Sequence, residues 1–366
     1  MKKIHRLLPA CAALAALLAP GMAHADSAPA STAPTFTGFI DSTYNYNFSG
    51  AATNPLRSFD SAANTVLLND VQLKAAGNAG KEIAYTAKVD YGTDATAIHS
   101  NLLTSTADVY SAEIEEAYFN YTPNLMPDLM LTVGKFVTYE GIEVIESGAN
   151  PTISRGCLFG MAEPYTTTGA KVMYTPSSKF MVGAGVVNGW DLVQDNNSGK
   201  TGIAQVQLNL GDPFALSVQG SYGPEEALDV SDMRSSFDAV LTTKVIPKVT
   251  LMVQGNYGSE PNVIPTTLST WKGVGVQPII DLSSLIPATS LGLRYENMVN
   301  SDKTRMFGLT SEVNSFTATP TFALNGNLTF RLEYRYDQAV DPIYTRTDGK
   351  PVNNDSTFST EFIQTF

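Results

Sequence analysis

The mature part of this chain lacks any run of about 18 or more apolar residues, so it offers no helix that could cross a membrane. If it is a membrane protein, it must cross with strands closed into a barrel. Cysteine is nearly absent: Cys11 lies in an N-terminal leader and Cys157 alone remains beyond it, so no intramolecular disulfide framework is available and strand pairing must hold the fold. Histidine is as scarce. With His99 the single mature histidine, a Ser-His hydrolase and a multi-histidine metal site are both disfavoured. Basic charge is short too: without the leader's Lys2, Lys3 and Arg6, 20 basic residues face 35 acidic ones, a formal net charge of −15. Such a balance argues against a nucleic-acid partner.

Nucleotide motifs are incomplete. Gly183-Ala184-Gly185 opens like a dinucleotide fingerprint, but Asn188 stands where the third glycine belongs. Gly199-Lys200-Thr201 has Gln194 where a phosphate loop requires glycine. No cofactor, no metal and no catalytic residue is expected, and Cys157 reads as a packed loop residue rather than a reactive thiol.

What is present begins with the leader. Lys2, Lys3 and Arg6 precede the apolar run 7–18, and Ala23-His24-Ala25 supplies a small-residue cleavage site, so 1–25 reads as a secretory signal peptide. Leu8-Pro9-Ala10-Cys11 faintly resembles a lipoprotein box but leaves almost no apolar core before the cysteine. The most regular stretch is LTFRLEYRYD at 328–337. Leu328, Phe330, Leu332, Tyr334 and Tyr336 alternate with Thr329, Arg331, Glu333, Arg335 and Asp337, which is the period of a strand.

The same alternation recurs at 36–48, 65–74, 82–91, up to 121, 129–136, 168–174, 180–188, 202–210 and 214–222. It continues at 235–245, 249–257, 271–280, 290–296, 312–322, 328–336 and 358–366, about sixteen strands in all. Connections alternate between tight turns such as 211–213 and long loops such as 189–201, 258–270 and 338–357. Tyr91, Tyr222, Tyr257, Tyr295 and Tyr336 end strands that approach long loops, and Phe36, Tyr121, Tyr174, Phe180, Phe214 and Phe366 sit near the short turns. Two aromatic girdles suit the two interfaces of a bilayer. The fold class is therefore all-β: residues 26–366 form a transmembrane antiparallel β-barrel of about sixteen strands, with short periplasmic turns and long external loops. A secreted β-sandwich with surface tyrosines would leave that rim register unaccounted for.

Specific segments carry a resemblance. They include Gly38-Phe39-Ile40-Asp41, Arg57-Ser58-Phe59-Asp60, Gly134-Lys135-Phe136-Val137-Thr138, GIEVIE at 141–146, Ser154-Arg155 and Pro164-Tyr165-Thr166. Val187-Asn188-Gly189-Trp190-Asp191, Asp195-Asn196-Asn197, Trp271-Lys272-Gly273 and 332–337 continue it in order. Together they resemble the β-barrel porin-2 (OmpL-like) family of bacterial outer membrane proteins across nearly the whole mature chain. The resemblance implies a porin in the outer membrane of a Gram-negative bacterium, with no defined solute. Implied partners are outer membrane lipid and small hydrophilic solutes or ions, with homo-oligomerisation left open.

The longest loop, 139–167, mixes Glu140, Glu143, Glu146, Arg155 and Glu163 with Val144, Ile145, Leu158, Phe159 and Met161. So many apolar groups point to a loop folded into the lumen, packed on the inner wall and narrowing it with carboxylates. A self-packed external cap is the alternative. Lumen-parity charges on the strands are Asp41, Asp70, Lys88, Asp90, Lys171, Asp238, Lys244, Arg294, Glu296, Arg331, Glu333, Arg335 and Glu361, which a water-filled channel would solvate. The expected function is a passive diffusion channel, weakly cation-preferring through Glu140, Glu143 and Glu146, partly offset by Arg155. Its rivals are a solute-selective channel with a binding site at the long loop and a structural or adhesive barrel.

Overall fold

The computed structural model describes residues 33–99, 111–211 and 213–366, so the leader 1–25 lies outside the described residues. Among those described, sixteen strands close into one antiparallel barrel in which each strand pairs with its neighbours in sequence. In chain order they begin with β1 (Thr35–Asn47), β2 (Thr65–Ala79), β3 (Ile83–Gly92), β4 (Ser111–Tyr121), β5 (Leu129–Val137) and β6 (Thr166–Ser177). Next come β7 (Phe180–Val187), β8 (Thr201–Asn209), β9 (Phe214–Pro224), β10 (Met233–Thr243) and β11 (Val249–Pro261). The barrel continues through β12 (Leu268–Asp281), β13 (Thr289–Asn300), β14 (Glu312–Ala323) and β15 (Leu328–Ala339). A short hairpin, β16 (Tyr344–Thr345) with β17 (Pro351–Val352), lies in the last long loop, and β18 (Asn354–Thr365) closes the cylinder against β1.

Side-chain alternation decides which face is which. On β15, Arg331, Glu333, Arg335 and Asp337 are buried inside while Tyr334 stands exposed outside. On β1, Asp41, Thr43, Asn45 and Asn47 turn inward and Phe36, Ile40, Tyr44 and Tyr46 turn outward. Of the aromatics expected at the two rims, Phe36, Tyr121, Tyr174, Phe214, Phe366, Tyr91, Tyr222, Tyr257 and Tyr295 are exposed on the outer surface, where a bilayer would cover them.

Strict period two misses two bulges in the β1–β4 sector. Asp41 pairs with Asp70 but Ser42 pairs with Leu68, which leaves Asn69 extra and puts both Asn69 and Asp70 inside. Lys88 pairs with Glu116 but Val89 pairs with Ile114, so Glu115 and Glu116 both become buried. A bulge re-aims side chains this way by opposing two residues to one. Here it concentrates carboxylates on one sector of the wall.

Prolines mark a second local irregularity. Pro278 pairs with Leu251 on one side, while the β13 register passes from Val276 to Ile279 without it. Pro320 likewise pairs with Leu291, while the β15 register passes from Ala318 to Thr321. Lacking an N–H, each proline interrupts the ladder on one side only. Two sequence expectations are corrected. The loop expected at 258–270 shrinks to 262–267 because β11 and β12 extend, and Lys244 falls in an exposed turn just past β10 rather than on the lumen wall.

The seam depends on the last residue. Gly38 N–H donates to the Phe366 carbonyl at 3.0 Å and Phe366 N–H returns to the Gly38 carbonyl at 2.9 Å. The Phe366 ring lies directly against Gly38, where a Cβ would overlap it. Deleting Phe366 removes two seam hydrogen bonds and an interfacial aromatic, so less heat-modifiable folded barrel is expected on gels and more degradation before insertion. An undiminished folded band would contradict this.

Candidate functional site

The loop after β5 has little regular structure: a 3-10 turn at Ser147–Ala149 and one helix, α1 (Cys157–Met161). Its backbone must therefore find partners elsewhere, and the inner wall supplies them. The Glu333 carboxylate accepts from the backbone N–H of Ile153 at 2.5 Å and of Ser154 at 3.1 Å. Glu296 accepts from Cys157 N–H at 3.0 Å, and Asp238 from Gly141 N–H at 3.1 Å. Arginines serve the carbonyls: Arg331 donates to Ser147 O at 2.9 Å and Asn150 O at 3.1 Å, and Arg335 to Arg155 O at 2.8 Å. At Gly292 on β13 the loop comes so close that a Cβ would overlap the Pro151 carbonyl.

Ion pairs complete the attachment. Arg294 meets Glu143 at 2.6 Å and Glu296 at 3.3 Å, and Arg331 meets Glu361 at 2.9 Å. Arg155 meets Asp94 at 2.6 Å, with its guanidinium 4.4 Å from the centre of the Phe59 ring. Buried pairs of this kind roughly break even against desolvation, but removing one partner strands the other at a cost of about 3–5 kcal/mol. They locate the loop more than they stabilise it.

Apolar side chains of the loop divide between two clusters. Cys157, Leu158, Met161 and Ala162 join Leu56, Trp190, Trp271, Met298, Met306 and Val313. Ile145 and Phe159 join Phe59 and Ile98, with Tyr165 packed at the edge. The first long loop thereby lies over the third. Arg57 from that first loop pairs with Asp60 at 2.7 Å and Asp337 at 2.8 Å, which ties it to β15.

The anticipated charges land in distinct surroundings. Glu143, Arg155, Arg294, Arg331, Glu333 and Arg335 are all buried and bonded, as is Glu361, rather than solvated in an open channel. Glu146 keeps more contact with solvent and meets Lys88 at 2.6 Å; that ammonium also meets Glu115 at 3.0 Å and Glu116 at 2.8 Å. Burial would raise the Glu146 carboxyl, yet Lys88 outweighs it and lowers the group to about 2. Glu140 is different. Burial raises it to about 8, only partly opposed by a hydrogen bond from Ser236, and its Oε2 has no partner. Burial also lifts Glu163, with Asp238 and Glu140 adding to the effect, and pushes the Cys157 thiol up to about 12. Lys171 lies over the rings of Phe136 at 3.8 Å and Tyr139 at 4.0 Å and forms no ion pair among the described residues. A crevice lined by Phe136, Tyr139, Glu140, Ile203, Gln219 and Ser221 separates the base of the loop from β8 and β9.

Several members of this arrangement escape sequence reasoning. The contacts of Asp94 with Arg155 and of Arg57 with Asp337 carry no local signal, because they join residues 61 and 280 positions apart. Glu115 and Glu116 are adjacent, and only the bulge brings both inside. Within the sequence Arg57-Ser58-Phe59-Asp60 is the sole hint, a charged pair three apart in an otherwise polar loop.

Comparisons with known proteins agree with this architecture. The profile of the family described as "Putative beta-barrel porin-2, OmpL-like" matches residues 34–366. Among solved structures, Pseudomonas putida OprB superposes with a TM-score of 0.64 at 12% identity, covering 92% of this chain and 94% of that one. An anion-selective porin from Comamonas acidovorans gives 0.63 at 8% identity, covering 91% and 99%. A trimer form of the outer membrane protein OmpT of Vibrio cholerae gives 0.59 at 13% identity, covering 91% and 100%. No curated protein matches the chain. At these identities the solved structures share the fold.

The raised Glu140 predicts a pH effect whose sign follows from linkage. The folded protein holds that proton more tightly than the unfolded chain, so stability falls as pH rises from the ordinary value of 4.5 toward about 8. Glu140→Gln should remove this contribution, raising the thermal midpoint relative to the parent at pH 9 and leaving it nearly unchanged at pH 4. A variant with the parent's full pH dependence would show that Glu140 ionises freely.

Proposed function

This chain belongs to the OmpL-like β-barrel porin-2 family, outer membrane proteins of Gram-negative bacteria, and we propose that loop 139–167 sets its aperture as a passive channel for small hydrophilic solutes. The observation that carries this reading is the attachment of the loop to the inner wall of β10, β13, β15 and β18, described above. Its segment 142–149 leaves Ile142, Val144, Glu146, Gly148 and Ala149 half-buried or exposed. On that edge Glu146 reaches Lys88 of β3 at 2.6 Å, so this pair would border the aperture. A channel of this kind has no need of catalytic residues, and no catalytic role is assigned to any side chain.

The same reading makes the channel weakly cation-preferring, through only one of the three loop glutamates that the sequence suggests, Glu146. Glu143 is neutralised by Arg294 and Glu140 favours its protonated form, so neither contributes much field. Lys88 meets three carboxylates, Glu115, Glu116 and Glu146, beside the open edge, so acid outnumbers base in this cluster. Asp41, Asp70 and Asp90 in the same sector have carboxylate oxygens without hydrogen-bond partners. Charges outside the barrel are screened within about 8 Å at physiological ionic strength, so the lumen decides.

Two bilayer measurements test these points. Shortening 140–155 should enlarge single-channel conductance, and an intact barrel with unchanged conductance would place the aperture elsewhere. Glu146→Gln should reduce the cation-directed reversal potential across a KCl gradient, more at low salt. A parent channel that prefers chloride would sink the cation reading while leaving the porin intact.

A further inference from the structure

The external mouth contains an unusual group of side chains. Arg305 projects from a 3-10 turn, Thr304–Met306, in the loop between β13 and β14. Its guanidinium lies 4.2 Å from the centre of the Trp271 ring and 4.9 Å from that of Trp190. Arg234, at the start of β10, lies 4.9 Å from the same Trp190 ring. The two indoles meet edge to face with centroids 6.1 Å apart. Two guanidinium groups are thus gathered on one pair of tryptophans.

Their hydrogen-bonding capacity is unequally used. Arg234 is engaged by Glu260 at 2.8 Å and more distantly by Glu225 at 3.7 Å, yet its Nε has no partner. Arg305 forms no ion pair among the described residues, and its Nη2 is buried without a hydrogen-bond partner. Three carboxylates, Glu260, Glu225 and Asp191, lie near Arg305, and Glu260 is taken up by Arg234. Glu225 accepts from Trp190 N–H at 2.8 Å and Thr201 Oγ1 at 2.6 Å, and Asp191 accepts from the backbone N–H groups of Tyr165 and Thr166 at 2.9 Å. Burial lowers Arg305 to about 9, and Arg234 beside it adds to the effect. A buried guanidinium donor without an acceptor is costly. Stacking on indole recovers only part of that cost.

We propose that Arg305 and Arg234 form a docking site for the oxyanion of a small solute, a carboxylate or phosphate, which it meets at the mouth before reaching the loop. A planar guanidinium offers paired N–H donors that match such oxygens, and half-buried Arg305, which forms no ion pair among the described residues, is the one that a solute at the mouth would meet. Trp271 also links the site to the loop, since its Nε1–H donates to the Ala162 carbonyl at 3.2 Å. The inference relies on the channel reading only for the solute's route of entry. Docking at the mouth is separate from the field at the aperture, so a weakly cation-preferring pore can carry such a site.

The chain holds just two tryptophans, Trp190 and Trp271, so intrinsic tryptophan fluorescence of the folded full-length protein reports this site alone. Sodium phosphate and sodium acetate, titrated against sodium chloride at matched ionic strength, should each give a saturable change in emission that chloride does not. Arg305→Gln should weaken the response about tenfold or more, the range expected when a charge-assisted hydrogen bond is lost. Arg305→Lys, which keeps the charge but loses the planar fork, should fall between; it also serves if the glutamine variant folds poorly, folding being checked by heat-modifiable mobility. No saturable response, an equal response to chloride, or an unaltered response in both folded variants would overturn the site. Single-channel conductance, measured in parallel, reports the porin reading separately: its loss would count against the channel and not against the binding.

Discussion

A backbone placed in hydrocarbon cannot leave its N–H and C=O groups unpaired, and nearly everything in this molecule follows from that constraint. Strands can meet it only by closing on themselves, which is why the seam between β1 and β18 matters as much as any interior ladder. Pro278 and Pro320 are tolerated because each gives up pairing on one side and keeps it on the other. Closure with alternating side chains has a further effect: it turns about half of each strand inward, into a space that must be hydrated or filled.

Filling that space with a polar loop sets a second electrostatic problem. A charge removed from water must find a partner of opposite sign or a set of dipoles. Arg294, Arg331 and Arg335 find both, taking carboxylates on one side and loop carbonyls on the other. Glu296 and Glu333 do the converse, accepting backbone N–H groups from a segment that has little secondary structure of its own. Because the desolvation of such groups roughly cancels their attraction, the network acts chiefly to specify where the loop lies. The apolar clusters around Leu158 and Phe159 supply the cohesive part, at about 1.5–3 kcal/mol for each fully buried large side chain.

Among the buried polar atoms left without a hydrogen-bond partner, two groups adjoin the solute path in the proposed reading. One is the β1–β4 sector, where two bulges crowd carboxylates around a single lysine. The other is the mouth, where Arg305 is stacked between indoles without a counter-ion. Unpaired buried polar groups are disfavoured in a structural interior, so those at these two positions call for an explanation beyond packing.

How much of this was legible in the sequence depends on the range of the interaction. Alternation at 328–337 is local, so the strand, its inward charges and the sixteen-fold repetition could be read directly, as could the aromatic rims. Leu158, Phe159 and Met161 revealed that the long loop needed something apolar to pack on. What they packed on was not legible, because Leu158 meets Trp271 and Phe159 meets Phe59 only after the barrel closes. The bulges at Asn69 and Glu115 break the period by one residue without any compositional mark. Charge pairing was hidden for the same reason: Glu143 was visible as a carboxylate, but its neutralisation by Arg294, 151 positions away, exists only in the folded barrel. The sequence by itself determined the closed sheet and its two faces, since those arise from neighbours along the chain. Tertiary structure decided which interior charges remain active, since that depends on distances across the lumen.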